Sequence, residues 1–100
     1  MKIVQVVPLA DDRPTLKQLL NQTERRLRHG PTAFSRTSAG RWAHVKYPGF
    51  IKWDLARGGI LVAEVQSKRP EQEWQLLQAF IGYLDRHLGE YIQTVSITYR

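Results

Sequence analysis

The chain has 100 residues, 42% apolar and 24% charged, which predicts one soluble globular domain over residues 1–100. It contains no cysteine, so disulfides, thiolate metal sites and cysteine nucleophiles are excluded. No apolar run reaches the length of a membrane span, and the first residues lack the small-residue cleavage site of a signal peptide. A cytoplasmic protein without membrane contact is therefore expected.

The positive charge is concentrated in the first half of the chain. Fifteen Lys and Arg against nine Asp and Glu give a net charge of +6. Residues 13–57 hold ten basic and two acidic residues, a net charge of +8, whereas residues 1–12 and 58–100 each sum to −1. A segment this basic predicts nucleic acid or an acidic protein as a partner, and the alternative is that the charge only keeps the protein in solution.

The first elements in chain order are a strand and an amphipathic helix. Residues 2–9 (KIVQVVPL) are rich in β-branched side chains and predict a strand. The segment Asp11–Pro14 is typical of a helix start, with an aspartate cap followed by proline in the first turn. Leucines then recur at helical spacing until Gly30 and Pro31 end the helix.

The remaining pattern predicts strands, a second helix and a last strand. A Gly/Ser/Thr-rich connector over residues 30–40 carries a short strand near Phe34. Alternating segments predict strands over 41–47, 50–56 and 60–66, and Gly89 ends a helix that opens at Arg69 and Pro70. Residues 93–99 (QTVSITY) predict the final strand.

This order of elements predicts an α+β fold. The expected architecture is a two-layer, ferredoxin-like sandwich, in which two helices cover one face of a mixed sheet of about five strands. The terminal strands are expected to lie parallel inside the sheet, joined by right-handed crossovers. The other face of the sheet is left open.

Strand alternation predicts which side chains face the helices. A three-residue turn over 57–59 would pair Ile51, Trp53 and Leu55 with Val65, Ala63 and Leu61 on the helix side. The same alternation directs two further sets inward: Ala43, Val45 and Tyr47, and Val95, Ile97 and Tyr99. Trp53, Trp74 and Leu77 are expected to be buried together. The open face would then carry Trp42, His44, Lys46, Lys52, Asp54, Val62, Glu64, Gln66, Thr94, Ser96 and Thr98.

The segment 40–47 (GRWAHVKY) resembles the aromatic strand motif of RNA-recognition domains. That resemblance implies a sheet face on which aromatic rings stack on unpaired bases, beside a basic residue that holds phosphate. Gly and Arg are exchanged relative to that motif, and His44 stands where an aromatic ring is usual. The alternative is that Trp42 packs in a dimer interface or under the 30–40 connector.

The residues predicted to contact nucleic acid are Arg25, Arg28, Arg36, Arg41, Trp42, His44, Lys46 and Lys52. If the sheet face is not the site, the first helix with Arg25, Arg26 and Arg28 becomes the candidate.

A second constellation resembles the core of PD-(D/E)xK nucleases. Asp54 is followed ten residues later by Glu64 and then Gln66, and alternation puts both acids on the open face. The resemblance implies that the acids bind Mg²⁺ for attack of water on a phosphodiester. Gln66 replaces the family's lysine, which Lys68 would supply if the strand continued. The alternative is an ordinary cross-strand ion pair between Lys52 and Glu64.

No other catalytic or cofactor motif is present. The three histidines have no metal-ligand spacing, phosphate-binding and dinucleotide fingerprints are missing, and no cofactor or metal is expected. The residues favour a binding module over an enzyme. A third class is a pure protein-interaction partner of the immunity or antitoxin type. A homodimer is expected, because the open sheet face or an unprotected edge strand offers an association surface.

Overall fold

The computed structural model describes residues 1–9, 15–29 and 33–100, without the side chains of residues 28 and 29. The elements are β1 (Lys2–Pro8), α1 (Leu16–His29), β2 (Phe34–Ser38), β3 (Arg41–His44), β4 (Phe50–Leu55), β5 (Leu61–Gln66), α2 (Pro70–Leu88) and β6 (Ile92–Tyr99). The predicted helix start at Asp11–Pro14 and helix end at Gly30 and Pro31 lie outside the described residues.

The α+β class is confirmed, with a single antiparallel sheet of six strands in the order β2-β3-β4-β5-β1-β6. The prediction of about five strands was wrong, because the segment at Phe34 forms a full strand, β2, on β3. The parallel arrangement of the terminal strands, which would have made the sheet mixed, was also wrong. The connection through α2 carries the chain across β1, so β6 runs antiparallel to β1 and forms an edge.

Both helices are stabilised by local signals as well as by packing. The backbone N–H of Gln18 donates to Thr15 Oγ1 at 3.2 Å, and the Gln18 side chain accepts from the Thr15 N–H at 3.0 Å. This reciprocal pair is a capping box, which fixes the start of α1. The second helix begins at Pro70, as predicted, with Glu71 and Glu73 in its first turn.

The predicted register between β4 and β5 is confirmed. Ile51 pairs with Val65, Trp53 with Ala63 and Leu55 with Leu61, across a turn in which Gly58 and Gly59 have φ values of 76° and 74°. Positive φ is costly for side chains with a Cβ, so glycine permits the three-residue turn that keeps the apolar set on the helix side.

Trp42 lies on the opposite face from the one predicted. Its register partner is Ile51, and both side chains are fully buried in the core. The regular strand ends at His44, so the predicted alternation does not continue through Val45, which is 82% exposed. The Trp42 indole packs against Phe34, Phe80 and Tyr83, with ring centroids 5.8–6.0 Å apart. Burying this large ring stabilises the fold more than burying the Val45 side chain would.

The apolar side chains of β6 lie on the predicted side of the sheet but are incompletely covered. Val95 and Ile97 stand opposite Val6 and Val4, which are buried, yet Val95 and Ile97 remain exposed because β6 is the edge strand.

The expected joint burial of Trp53, Trp74 and Leu77 was wrong in part. Leu77 is buried, Trp53 is half-buried and Trp74 is exposed.

A buried ion pair ties the first strand to the second helix. Lys2 Nζ lies 2.8 Å from Glu73 Oε1, and the amino group of Met1 lies 3.2 Å from Glu73 Oε2. Burial raises the pKa of Glu73, but the hydrogen bonds from Lys2 and from that amino group outweigh it, so the pKa lies below its usual value. The buried charges of Lys2 and Glu73 are tolerated because they are paired.

Replacing one partner of this pair should destabilise the fold more than replacing both. We expect Glu73→Leu to cost about 3–5 kcal/mol, because it leaves the Lys2 ammonium buried without its carboxylate. Lys2→Met/Glu73→Leu should recover most of that loss in urea denaturation. Glu71→Leu, an exposed carboxylate in the same turn, should change stability by less than about 0.5 kcal/mol. A double variant no more stable than Glu73→Leu would contradict this account.

Candidate nucleic-acid interface

The residues predicted to contact nucleic acid do not converge on one surface. Arg41 and Lys52 lie on the open face of the sheet, as cross-strand neighbours. Trp42, His44 and Arg36 lie on the helix side, and Lys46 lies in the bend that follows β3. Arg25 is exposed on α1; Arg28 belongs to the same helix, and its side chain lies outside the described residues.

The Glu24 carboxylate accepts hydrogen bonds from three neighbouring groups. Its Oε2 accepts from Trp42 Nε1 at 2.8 Å and from the Gly40 N–H at 3.1 Å, and its Oε1 accepts from Arg36 Nε at 3.4 Å. The carboxylate projects inward from α1 and is buried, so these bonds fasten the helix to the β2–β3 hairpin. A buried indole with its N–H bound to a carboxylate cannot stack on bases, so the predicted role of Trp42 does not fit its position.

Replacing the indole of Trp42 by a phenyl ring should cost stability, because it removes the N–H and part of a fully buried ring. We expect Trp42→Phe to lower the free energy of unfolding by about 1–3 kcal/mol, because Glu24 loses its shortest hydrogen bond in a buried site. Trp74→Phe is the matched control on an exposed ring and should be nearly neutral. Chemical denaturation measures both, and equal costs for the two substitutions would contradict the role given to Glu24.

The open face of the sheet is close to electrically neutral. Its described strand positions carry two cations, Arg41 and Lys52, and two carboxylates, Asp54 and Glu64. Arg41 stacks on the Phe50 ring, with its guanidinium carbon 4.1 Å from the ring centroid, and Lys52 stands directly opposite Glu64. The sheet face therefore offers no concentrated attraction for phosphates.

The nuclease constellation is present only in part. Asp54 and Glu64 share the open face as predicted, in diagonal positions on neighbouring strands, and Gln66 follows on the same face. The strand ends at Gln66, so Lys68 is not carried on the same face by a continuing β5. Within the described residues, no group of three His, Asp or Glu side chains is arranged to hold a metal ion.

His44 organises the bend that follows β3. Its Nδ1 accepts from the backbone N–H groups of Lys46 and Tyr47 at 3.0 and 3.2 Å, and its ring contacts Phe34 and Tyr47. The neutral imidazole therefore carries its proton on Nε2. Burial, and secondly the charge of Lys46, lower the pKa of His44 below its usual value.

This lowered pKa makes stability dependent on pH in a defined direction. The unfolded chain takes up a proton at His44 near the ordinary pKa of about 6.5, whereas the folded chain resists it, so stability falls as the pH drops from about 7. His44→Asn can keep a hydrogen-bond acceptor without a titrating group. Denaturation midpoints measured between neutral and mildly acidic pH should fall less in this variant than in the wild type. Equal falls would show that His44 does not titrate differently on folding.

The exposed side of α1 is the most consistently basic surface among the described elements. Its described exposed side chains are Lys17, Gln18, Asn21, Gln22, Arg25 and Arg26. The one acidic residue of the helix, Glu24, points inward and is bound by the hairpin. The described exposed side chains of this helix are therefore three cations and three amides, with no carboxylate among them.

Sequence reasoning identified Arg25 and Arg26 but missed the role of Glu24. The signal was available in the periodicity of α1, since Glu24 follows Thr23 on the same side as Leu16, Leu20 and Leu27, which the structure buries. An acid on the apolar stripe of a helix requires a buried partner, and the indole and arginine supply it.

Comparisons with family models, with curated proteins and with solved structures find no match to this chain. Neither described helix has the length and apolar character needed to cross a bilayer.

Proposed function

We propose that this protein is a small binding module that contacts the phosphate backbone of nucleic acid through the exposed side of α1. The observation that carries the proposal is the separation of charge on this helix: Lys17, Arg25 and Arg26 face outward, and its one carboxylate faces inward. Lys17 and Arg25 lie eight residues apart, which is about 12 Å along the helix axis and about 80° around it. Arg26 is rotated about 100° further, so the three cations span the exposed side, and the amides between them are also suitable phosphate donors.

The composition of this surface favours nucleic acid over an acidic protein. Protein interfaces are usually anchored by buried aromatic or aliphatic side chains at their centre. The described exposed side chains of α1 are all amides or cations, and Leu19, at the margin, is half-buried. Arginine and lysine without an apolar anchor suit the polar, charged backbone of nucleic acid.

The sheet supports this surface in the proposed arrangement. We infer a ferredoxin-like core formed by β6, β1, β5 and β4, with α1 and α2 as its two crossovers and the β2–β3 hairpin as an addition. The hairpin presents Trp42 and Gly40 to Glu24, and this attachment supports the orientation of α1. The proposed activity is binding without catalysis.

A salt titration with paired variants tests the proposal. Binding of generic single-stranded DNA and RNA should weaken with rising salt, and Arg25→Gln/Arg26→Gln should reduce the slope of log affinity against log salt by about 1.4. Lys52→Gln/Arg57→Gln removes the same charge from the open face and an exposed turn, and should leave the slope nearly unchanged. Fluorescence anisotropy at several salt concentrations measures both.

Any of three outcomes would contradict the proposal and favour a different explanation. Equal loss in the two double variants would show that net charge alone attracts the oligonucleotide. Affinity weaker than about 1 mM at low salt would favour a protein partner, since non-specific nucleic-acid binding is normally tighter than that. Degradation of the oligonucleotide that needs Mg²⁺ and is lost in Asp54→Ala would favour the nuclease alternative, in which Asp54 and Glu64 share one face.

A further inference from the structure

The two edges of the sheet differ in how they are protected against pairing with another strand. The edge strand β2 has five residues, includes Arg36 and has an irregular register before Ser38. The other edge, β6, has eight residues with the sequence IQTVSITY, which contains no charge, proline or glycine. Edge strands are normally kept apart by charges, prolines, bulges or short length. The register of β6 against β1 shifts near Ile92, but the run from Thr94 to Tyr99 pairs regularly and has the features of a strand that pairs.

The direction of the free backbone groups of β6 follows from its pairing with β1. The N–H of Arg100 donates to the Met1 carbonyl at 2.9 Å, and the Met1 amino group donates to the Arg100 carbonyl at 3.4 Å. Hydrogen-bonded residues alternate along an antiparallel pair, so Thr94, Ser96 and Thr98 face β1. The N–H and C=O groups of Val95, Ile97 and Tyr99 therefore point away from the sheet, whereas Gln93 lies at the register shift beside Pro8 and is not placed by this alternation.

Exposed apolar side chains lie beside this edge. Six large apolar residues are exposed among the described side chains, and four of them belong to β6 or to the facing surface of α2: Trp74 at 42%, Val95 at 39%, Ile97 at 37% and Tyr99 at 67%. A groove of about 440 Å³ runs between α2 and β6, lined by Trp74, Ile81, Ile92 and Val95 among others. Apolar surface and unpaired backbone therefore lie at the same edge.

We propose that a second copy of this chain occupies this edge, with the two β6 strands paired antiparallel about a two-fold axis at Ser96. A two-fold axis perpendicular to the sheet keeps the helices of both copies on the same side and makes one continuous sheet of twelve strands, twice six. It places Val95 beside the partner's Ile97 on the helix side. Both apolar grooves then lie along the new interface.

The register at Ser96 pairs apolar side chains in the regular part of the strand. Val95 meets the partner's Ile97 on both sides of the axis, which forms about four hydrogen bonds between the strands. An axis at Val95 would form about two and would place Ile97 against the partner's Gln93, where the register is irregular. A shift by a single residue would reverse the faces and bury threonine and serine against the apolar set.

The charges that flank β6 complement each other in this arrangement. Glu90 precedes the strand and Arg100 follows it. Antiparallel pairing brings Arg100 to the end of the partner's strand that Glu90 precedes, at both ends of the interface. The strand between these ends is uncharged, so no like charges meet across the axis. This self-complementarity identifies a second copy, in preference to an unrelated strand, as the occupant.

Sedimentation with a charge placed at the edge tests the association. The wild type should sediment as a species of about 23 kDa, twice 11.6 kDa, at concentrations approaching millimolar. Ile97→Lys should raise the dissociation constant by about 100-fold, since each copy places a lysine against an apolar partner. Val45→Lys makes the same kind of change on an exposed residue away from β6 and should leave the dimer intact. A wild type that remains at 11.6 kDa would overturn the proposal.

Cysteine crosslinking tests the register, because the chain has no native cysteine. Ser96→Cys should form a disulfide-linked dimer under mild oxidation, since directly opposed antiparallel residues meet the distance that a disulfide requires. Thr94→Cys should not, because the two copies of residue 94 lie about 13 Å apart along the strands. Thr37→Cys on the opposite edge should not either. Efficient crosslinking of either control in place of Ser96→Cys would overturn the proposed interface. Neither experiment uses nucleic acid, so this inference can fail or succeed independently of the proposed function.

Discussion

The carboxylate of Glu24 is the contact on which the arrangement of the first half of this protein depends. It accepts hydrogen bonds from the Trp42 indole, the Gly40 backbone and the Arg36 guanidinium, and so fastens α1 to the β2–β3 hairpin. Because the only acid of α1 is used inside, the cations on the exposed side of the helix have no neutralising partner among the described residues. One buried interaction thus determines both the packing of Trp42 and the electrostatic character of the surface proposed to bind phosphates.

Two titrating groups give the fold the same dependence on pH. The folded state lowers the pKa of Glu73, where pairing with Lys2 outweighs burial, and that of His44, where burial is the main cause. In both cases the unfolded chain binds more protons than the folded chain over the relevant range, so stability rises with pH. The contribution of His44 to stability is lost at mildly acidic pH and that of Glu73 at lower pH, because their ordinary pKa values differ by about two units.

The proposed surfaces lie on different parts of the architecture. The basic side of α1 is attached through the hairpin at one end of the sheet, whereas β6 forms the opposite edge. A dimer formed through β6 would leave both copies of α1 free, and two separated basic helices would contact a longer stretch of backbone than one. The net charge of +6 opposes association of two copies, so an uncharged strand at the interface reduces that repulsion where the copies meet.

The sequence by itself determined the α+β class, the approximate positions of the elements and the register of β4 with β5. Those features depend on local periodicity and on a turn whose glycines fix its length. Only the tertiary structure decided the side on which Trp42 lies, the partner of Glu24 and the edge position of β6. Alternation cannot show where a strand ends, and a strand that is apolar on one side has the same pattern whether a helix covers it or not. These outcomes depend on which distant segments compete for the same core, and the largest ring, Trp42, gains most from burial.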